Sequence, residues 1–235
     1  MRVRTLGVAG ALAMLACGGG AGGGDADAGG GDRVSIMTWN TAHGELSSME
    51  AVAEVIRRVD PEVVLLQETH AEQAEALGDR LGMAAPGGSV SKSALFAAND
   101  ARLTTSVELT SGRWSRSIDL YSYRGVTIAN THLSTTDDPR RIQAGEVLEV
   151  LGGADPAILA GDLNAGPDSE TLRTFEDAGW HNLSGDAPTF PSRGVTLDYI
   201  LATRDWAPVS VRVVHSDASD HYPVVVDLAA SDLPE

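Results

Sequence analysis

Two residue types that soluble proteins use freely are nearly missing here: the chain of 235 residues has one cysteine and one lysine. A single cysteine excludes a disulfide framework, a zinc site built from cysteines and a dithiol redox pair. No apolar run reaches the roughly 18 residues that a membrane-spanning helix needs, so none is predicted in the mature protein. The 33 acidic residues outnumber the 17 basic ones, for a net charge of -16. This balance argues against a protein whose main task is to grip nucleic acid, because such affinity comes largely from Lys and Arg.

The N-terminal 32 residues indicate export and anchoring. Two arginines precede an apolar stretch, Leu6 to Ala16, which is the layout of a secretory signal too short to span a bilayer. The stretch ends in Met14-Leu15-Ala16-Cys17, which resembles a bacterial lipobox. Residues 1–16 are therefore predicted to be a signal peptide and Cys17 to carry lipid; the alternative is a soluble exported protein that is cut near Cys17. Residues 17–32, mostly Gly, Ala and Asp, are predicted to be a flexible tether.

From residue 33 onward, segments typical of strands alternate with segments typical of helices. This alternation predicts one α/β domain over residues 33–229 and a tail over 230–235. Strands are predicted at residues 34–39, 63–66, 118–123, 126–130, 157–160, 197–201, 209–214 and 224–228. The first helix is predicted to follow a capping box formed by Ser47 and Glu50 and to stop at Pro61, and further helices are predicted at 70–81, 139–151 and 169–178. The pattern is weakest in 82–112, where short strands are predicted at 94–98 and 106–109.

Polar residues gather at the ends of these predicted strands, where ligands usually bind in α/β sheets. In chain order the segments are Thr38-Trp39-Asn40, Gln67-Glu68, Asn130-Thr131-His132, Gly161-Asp162-Leu163-Asn164, Leu197-Asp198-Tyr199 and Ser219-Asp220-His221. Together they resemble the endonuclease/exonuclease/phosphatase superfamily, which includes DNase I-like nucleases, inositol polyphosphate 5-phosphatases and neutral sphingomyelinases. The resemblance implies an α/β fold of two packed mixed β-sheets flanked by helices, a four-layer α-β-β-α sandwich. It also implies metal-dependent hydrolysis of phosphate esters.

The resemblance suggests three residues for the metal. Glu68 would supply the carboxylate, Asn40 would ligate or orient beside it, and Asp220 would complete the metal environment. A hard cation such as Mg²⁺ takes oxygen ligands and keeps several waters, so one or two carboxylates are enough to hold it. Mg²⁺ is the expected ion, with Mn²⁺ and Ca²⁺ as alternatives. Taken singly, Glu68 is an ordinary solvated acid at a strand end and Asn40 an ordinary turn former.

The segment Gly161-Asp162-Leu163-Asn164 is the next candidate. If the segment is extended, Asp162 and Asn164 project from the same face. The resemblance implies that this pair orients the attacking water and binds a phosphate oxygen. Gly, Asp and Asn are also turn residues, so the alternative is a structural turn. The apolar run that leads into it favours the functional interpretation.

Two of the six histidines match the family. The resemblance implies that His221 accepts a proton from water, that Asp198 orients His221, and that His132 steadies phosphoryl oxygens or assists the leaving group. The other histidines (His43, His70, His181 and His215) match no role and are predicted to be surface or loop residues.

The chain also departs from the family. The Ala-Leu-Ser-Arg stretch of many relatives survives only in outline at residues 93–98, and Arg116 is a candidate for the basic residue that often begins the next strand. The chain between Glu68 and His132 is short, which predicts that long loops for docking duplex DNA or lipid head groups are trimmed.

Three functions follow from this sequence. The first is a phosphoesterase, most simply a phosphodiesterase, that acts on a small or lipid-linked ester at a bacterial cell envelope as a monomer tethered by its lipid anchor. The second is an extracellular or periplasmic nuclease, which the acidic charge disfavours. The third is an inactive surface-binding protein of the same fold.

Overall fold

The computed structural model describes residues 33–44, 47–85, 92–97, 101–110 and 112–234. The strands are β1 (Arg33–Asn40), β2 (Val63–Gln67), β3 (Ser93–Ala97), β4 (Arg102–Leu109), β5 (Arg116–Tyr123), β6 (Val126–His132), β7 (Ala157–Asp162), β8 (His181–Asn182), β9 (Asp198–Ala202), β10 (Ser210–Val213) and β11 (Val224–Ala229). The helices are α1 (Met49–Val59), α2 (Ala71–Leu81), α3 (Asp137–Leu151) and α4 (Glu170–Asp177). The predicted signal peptide, the predicted tether and Cys17 lie outside the described residues.

The strands form two mixed sheets, one of five strands in the order β10-β11-β1-β2-β3 and one of six in the order β4-β5-β6-β7-β9-β8. Apolar side chains from both sheets, such as Ile36, Leu65 and Ile128, pack against each other in a core between them. A second core joins α1 and α2 to the outer face of the first sheet, and a third joins α3 and α4 to the outer face of the second. The predicted four-layer α-β-β-α sandwich is therefore confirmed. No helix in the described ranges is long and apolar enough to cross a membrane.

Strand register carries the polar segments to one edge of the sandwich. Asn40 pairs with Gln67 across the parallel strands β1 and β2, so Glu68 follows at the same edge. In the other sheet, His132 pairs with Asp162, which pairs in turn with Asp198. Residues directly opposite each other on neighbouring strands project to the same face. The pairing therefore aligns these three side chains in a row.

Two local predictions differ from the structure at the start of α1 and in β4. The N-cap of α1 is Ser48, whose Oγ accepts from Ala51 N at 3.3 Å, while Ser47 Oγ donates to Ala218 O at 2.8 Å. The predicted capping box of Ser47 and Glu50 is therefore wrong, because the N-cap lies one residue later, at Ser48. Strand β4 begins at Arg102 rather than at residue 106. Its edge position leaves most of its side chains at least partly exposed, so its first half lacks an apolar signal.

The C-terminal residues belong to the packed domain. Ala230–Asp232 forms a 3-10 turn after β11, and Leu233 is buried in the core between the sheets. One apolar residue in a polar tail gives little sequence signal for this contact.

Candidate active site

Asp162 occupies the centre of the candidate site. Its Oδ2 accepts a hydrogen bond from Asn40 Nδ2 at 3.0 Å. The same oxygen lies 3.3 Å from His132 Nε2 and 3.8 Å from His221 Nε2. Asp162 is almost fully buried, and polar contacts are stronger in such surroundings than in water. The structure thus brings four of the predicted site residues together around one carboxylate oxygen.

A second carboxylate, Asp198, holds the ring of His221. The Nδ1 atom of His221 lies 2.8 Å from Asp198 Oδ2, and Thr189 Oγ1 donates to the same oxygen at 2.6 Å. The other oxygen, Oδ1, is buried without a hydrogen-bond partner among the described residues. The ring of Phe190 packs against His221 with the ring centroids 4.8 Å apart. His221 is therefore fixed in orientation, with its Nε2 turned toward Asp162.

The two histidines of the site differ in charge. Burial alone would lower the pKa of His221, but the hydrogen bond to Asp198 and the charges of Asp198, Asp162 and Asp220 outweigh it and raise the pKa to about 9. Burial lowers the pKa of His132 to about 4, and the nearby charge of Asp162 only partly opposes this. At neutral pH, in the absence of a metal, His221 is protonated and His132 is neutral.

Asn164 reaches the site by a turn. Its φ of 49° is left-handed, so the extended segment predicted for Asp162 and Asn164 is wrong. The turn is closed by a hydrogen bond from Asn164 N to Asp162 Oδ1 at 2.9 Å, an arrangement that Asp side chains favour. Asn164 Nδ2 donates to Leu133 O at 3.0 Å and lies 3.0 Å from His132 Nε2. The segment therefore forms the turn that the sequence offered as the alternative, and this turn places Asn164 beside His132.

Glu68 and Asn40 offer the oxygen atoms expected of a Mg²⁺ site. The Glu68 side chain is 28% exposed and faces the cleft. Asn40 Oδ1 accepts from Ala42 N at 3.0 Å and keeps a second lone pair free. A divalent cation binds such oxygens together with water. These residues therefore fit the metal on which the family depends.

A different donor group could also hold an ion. Ligand atoms of Asp162, Asp198 and His221 lie within 4.8 Å of one another, the only such group of three or more His, Cys, Asp or Glu residues in the described ranges. In this group the contact between His221 Nδ1 and Asp198 Oδ2 already occupies two of the ligand atoms. The positive charge of His221 also opposes a second cation there. Both features disfavour a metal in this group, and the position of the metal beside Glu68 stays a prediction.

Asp220 does not belong to the group of Asp162, Asp198 and His221. It is exposed in the loop before β11, and its Oδ1 accepts from Ser219 Oγ at 3.4 Å. Its charge reaches His221, as the raised pKa shows. Its role as a metal ligand stays a prediction.

His43 lies in the site, although its sequence matched no role there. Its Nε2 is 3.4 Å from Glu68 Oε2, and its ring packs against that of His70 with the centroids 5.1 Å apart. Ala42 and His43 both have positive φ, 48° and 56°, which non-glycine residues rarely adopt. This turn aims His43 at Glu68, and the sequence carries no signal for it. The other three histidines are exposed, as predicted.

Arg116 also belongs to the site. It begins β5 beside β6, and burial lowers its pKa while the charges of Asp162 and Glu68 oppose that change. Its Nε is buried and has no hydrogen-bond partner among the described residues. Since a guanidinium stays charged in proteins, Arg116 can supply donors to an anion in the cleft.

A buried polar network supports these residues from below. Gln67 Nε2 donates to Asn130 Oδ1 at 2.8 Å and to Thr38 Oγ1 at 3.1 Å. Asn130 Nδ2 donates to the carbonyl oxygens of Leu66 and Ala94, each at 3.0 Å. These bonds join the two sheets directly beneath the strand ends, which fixes the distance between Glu68 on one sheet and His132 on the other.

The fold and this site define a known class of hydrolase. The model of the Endonuclease/Exonuclease/phosphatase family matches residues 37–221, which contain every predicted site residue except Cys17. The chain belongs to this family. Members of the family are phosphoesterases and nucleases that depend on divalent metal ions. No curated protein sequence matches the chain.

Solved structures share the fold at low sequence identity. An endonuclease/exonuclease/phosphatase from Beutenbergia cavernae is 20% identical, with a TM-score of 0.67, over 86% of this chain and 72% of that one. TDP2 from D. rerio, complexed with a single-strand DNA product, is 16% identical, with a TM-score of 0.64, over 83% of this chain and 98% of that one. A mannosyl-6-phosphatase from Bacteroides thetaiotaomicron is 16% identical, with a TM-score of 0.59, over 82% and 98%.

Proposed function

We propose that the protein is a divalent-metal-dependent hydrolase of a small or lipid-linked phosphate ester, most simply a phosphodiester. The observation that carries this proposal is the convergence on Asp162 Oδ2 of Asn40, His132 and His221, which come from separate parts of the chain. Two of these contacts are made by histidine Nε2 atoms. At neutral pH the ring of His221 is protonated and that of His132 is neutral. A cluster with only a structural role does not require two imidazoles whose pKa values differ this much.

The chain's own residues supply the proton transfer. Water adds to phosphorus, the ester P–O bond breaks, the proton of the water passes to His221, and the alcohol leaves with a proton from solvent. His221 must first be deprotonated at Nε2, the nitrogen that faces Asp162. Asp198 then stabilises the imidazolium that forms, since it already contacts Nδ1.

Other residues hold the phosphoryl group. Neutral His132 cannot act as a strong acid, so it serves as a hydrogen-bonding group beside the phosphoryl oxygens, and Asn164, whose Nδ2 lies 3.0 Å from His132 Nε2, positions its ring. Arg116 adds a fixed positive charge. Glu68 and Asn40 would hold the metal ion, which neutralises charge on the phosphate oxygens when it is bound.

Electrostatics favour a small ester over a long polyanion. A net charge of -16 repels nucleic acid at a distance, whereas a single phosphate group needs only the local cations of the cleft. The family likeness covers both kinds of substrate: one structural neighbour is a mannosyl-6-phosphatase and another is complexed with a single-strand DNA product. Because of the second neighbour, a nuclease stays the alternative function. An inactive binding protein of the same fold is the remaining alternative.

Hydrolysis of bis(p-nitrophenyl) phosphate in Mg²⁺, and in excess EDTA, tests the proposal. We expect turnover that EDTA abolishes and that His221→Ala reduces strongly. Undiminished turnover in EDTA would refute metal dependence, and the absence of turnover on every phosphate ester tried would favour the binding protein. Comparing duplex DNA, short oligonucleotides and a phosphocholine-type diester at two salt concentrations then separates the substrates. A preference for long DNA that falls steeply as salt rises would identify a nuclease.

We also propose that the enzyme is lipid-anchored at Cys17 in a bacterial cell envelope. The support is the apolar stretch that ends at the sole cysteine. Expression in a bacterial host with labelled fatty acid should label the wild type and not Cys17→Ser. Equal labelling of both proteins, or no labelling of the wild type, would contradict the anchor.

A further inference from the structure

A cleft of about 430 Å³ opens beside the catalytic residues. Its lining includes Glu68, His132 and Arg116, together with Lys92 and Trp114, of which the last two have no role in the chemistry described above. The volume is within the range of small-molecule sites, which start at about 300 Å³. The cleft is therefore large enough for a group beyond the phosphate itself.

Trp114 presents a large apolar ring to this cleft. The residue is 60% exposed, and the guanidinium carbon of Arg113 lies 5.4 Å from the centroid of the ring. A lone exposed aromatic residue is common on protein surfaces and proves nothing by itself. Here, however, the ring belongs to the same cleft as Glu68 and His132.

The loop that carries Trp114 is held in place at both ends. Thr110 N donates to Glu146 Oε2 at 2.8 Å, and Gln143 Nε2 donates to Thr110 O at 2.7 Å, so α3 fixes the end of β4. A Cβ atom added at Gly112 would lie 2.8 Å from Ser134 Oγ, which shows how closely the loop passes that residue. Arg116 then begins β5. The position of Trp114 is thus set by the fold.

Charge in the cleft complements an anion. Lys92 is the only lysine of the chain, and it lines the same cleft as Arg116 in a protein of net charge -16. The Nε of Arg116 is buried and lacks a hydrogen-bond partner among the described residues. These two side chains offer donors to phosphate oxygens, whereas Trp114 offers an apolar face to the group that the phosphate carries.

We propose that this cleft selects a small phosphate ester whose alcohol portion is a ring, which stacks on Trp114 while Arg116 and Lys92 contact the phosphate. The inference rests on the proposed function and names its substrate class. The stacking partner can be the flat face of an aromatic ring, such as a nucleoside base or a phenyl group, or the C–H face of a sugar ring, since each can pack on the indole. An open-chain ester of equal charge lacks that face, so it makes no stacking contact with Trp114.

Titration calorimetry of the full chain in Mg²⁺ tests this with two stable phosphate mimics, phenylphosphonate and n-butylphosphonate. Wild type should bind the phenyl compound more tightly. Trp114→Ala should lose about tenfold in affinity for phenylphosphonate, the scale of one stacking contact, and little for n-butylphosphonate. Trp114→Phe should restore most of the loss. Val211→Ala, which truncates an exposed apolar residue of β10, is the matched control and should change neither affinity.

Equal weakening of both ligands by Trp114→Ala, or no weakening of either, would overturn the inference. So would a wild type that binds the two phosphonates equally or not at all. Because binding of a phosphonate requires no turnover, this result is independent of the hydrolysis assay. A chain that shows the Trp114-dependent preference but cleaves no ester would refute the proposed function and leave the ring-binding cleft standing.

Discussion

His221 Nδ1 lies 2.8 Å from Asp198 Oδ2, and Thr189 Oγ1 donates to the same carboxylate oxygen at 2.6 Å. A single buried oxygen therefore serves two partners, one from the loop before β9 and one from the loop before β11. The arrangement leaves Nε2 of His221 directed at Asp162, 3.8 Å from its Oδ2. Orientation of the proton acceptor and stabilisation of its charged form thus depend on one side chain, Asp198.

This geometry predicts strongly non-additive mutations. His221→Ala and Asp198→Asn should each lower kcat by about 10²-fold or more, the usual scale for losing a general acid or base. Since both residues act on one proton transfer, the double variant should be far less impaired than the product of the two single effects. Steady-state kinetics of the three variants measures this. Fully multiplicative losses would contradict the pairing.

The charge of His221 predicts how stability depends on pH. The metal-free protein should show a His221 pKa near 9 by NMR titration, and Asp198→Asn should lower it, because the hydrogen bond and the charge of Asp198 that oppose the effect of burial are then lost. A raised pKa stabilises the folded state below the unfolded value of about 6.5, and this contribution is lost as pH rises through 9. The unfolding free energy of wild type relative to Asp198→Asn should therefore be greatest below pH 6.5. A His221 pKa near 6.5 in wild type would refute the prediction.

Much of the fold could be predicted because buried strands leave a clear signal. Runs such as Val63 to Leu66 are apolar at every position, and their polar ends mark where the sheet edge begins. The hairpin of β5 and β6 was equally predictable: Arg124 and Gly125 both adopt positive φ, as a tight two-residue turn requires. In contrast, the exposed edge strand β4 has a mixed pattern, so only its second half was predicted.

The sequence predicts those site residues that lie at the end of a strand. It does not predict those whose position depends on a turn. Asp162 and His132 end β7 and β6, and strand register brings them together. His43 depends on a left-handed turn, and no periodic pattern reports such a turn. Trp114 reaches the cleft only because α3 and Ser134 position its loop. Contacts of this kind arise from tertiary structure alone.

The metal assignment predicts that Glu68→Gln weakens metal binding without unfolding the protein. The change removes a carboxylate that is 28% exposed at the cleft, so apparent Mn²⁺ affinity should fall by at least about 10-fold, the lower end for disturbing a metal site. Electron paramagnetic resonance of free Mn²⁺ gives the affinity directly, and circular dichroism checks the fold. Glu72→Gln, at an exposed position on α2, is the matched control. Equal affinity in Glu68→Gln and wild type would move the metal to the group of Asp162, Asp198 and His221.

Gly161 supplies a prediction about stability, because it pairs with Thr131 of β6 and directly precedes Asp162. Its φ is 149°, and a Cβ atom there would lie 1.9 Å from Thr131 O. This neighbour is backbone within a sheet and cannot rotate away, so Gly161→Ala must push β6 and β7 apart. We expect a loss of about 3 kcal/mol or more in unfolding free energy, the upper range for overpacking, together with loss of activity as His132 moves from Asp162.

Gly145→Ala is the matched control for that change. Gly145 lies within α3, and a Cβ atom there meets nothing within 4 Å. Because alanine is the better helix former, this variant should gain about 0.5 to 1 kcal/mol and keep full activity. Urea denaturation of both variants against wild type measures the two effects. If Gly161→Ala were as stable as Gly145→Ala, the close approach of β6 and β7 that places His132 against Asp162 would be wrong.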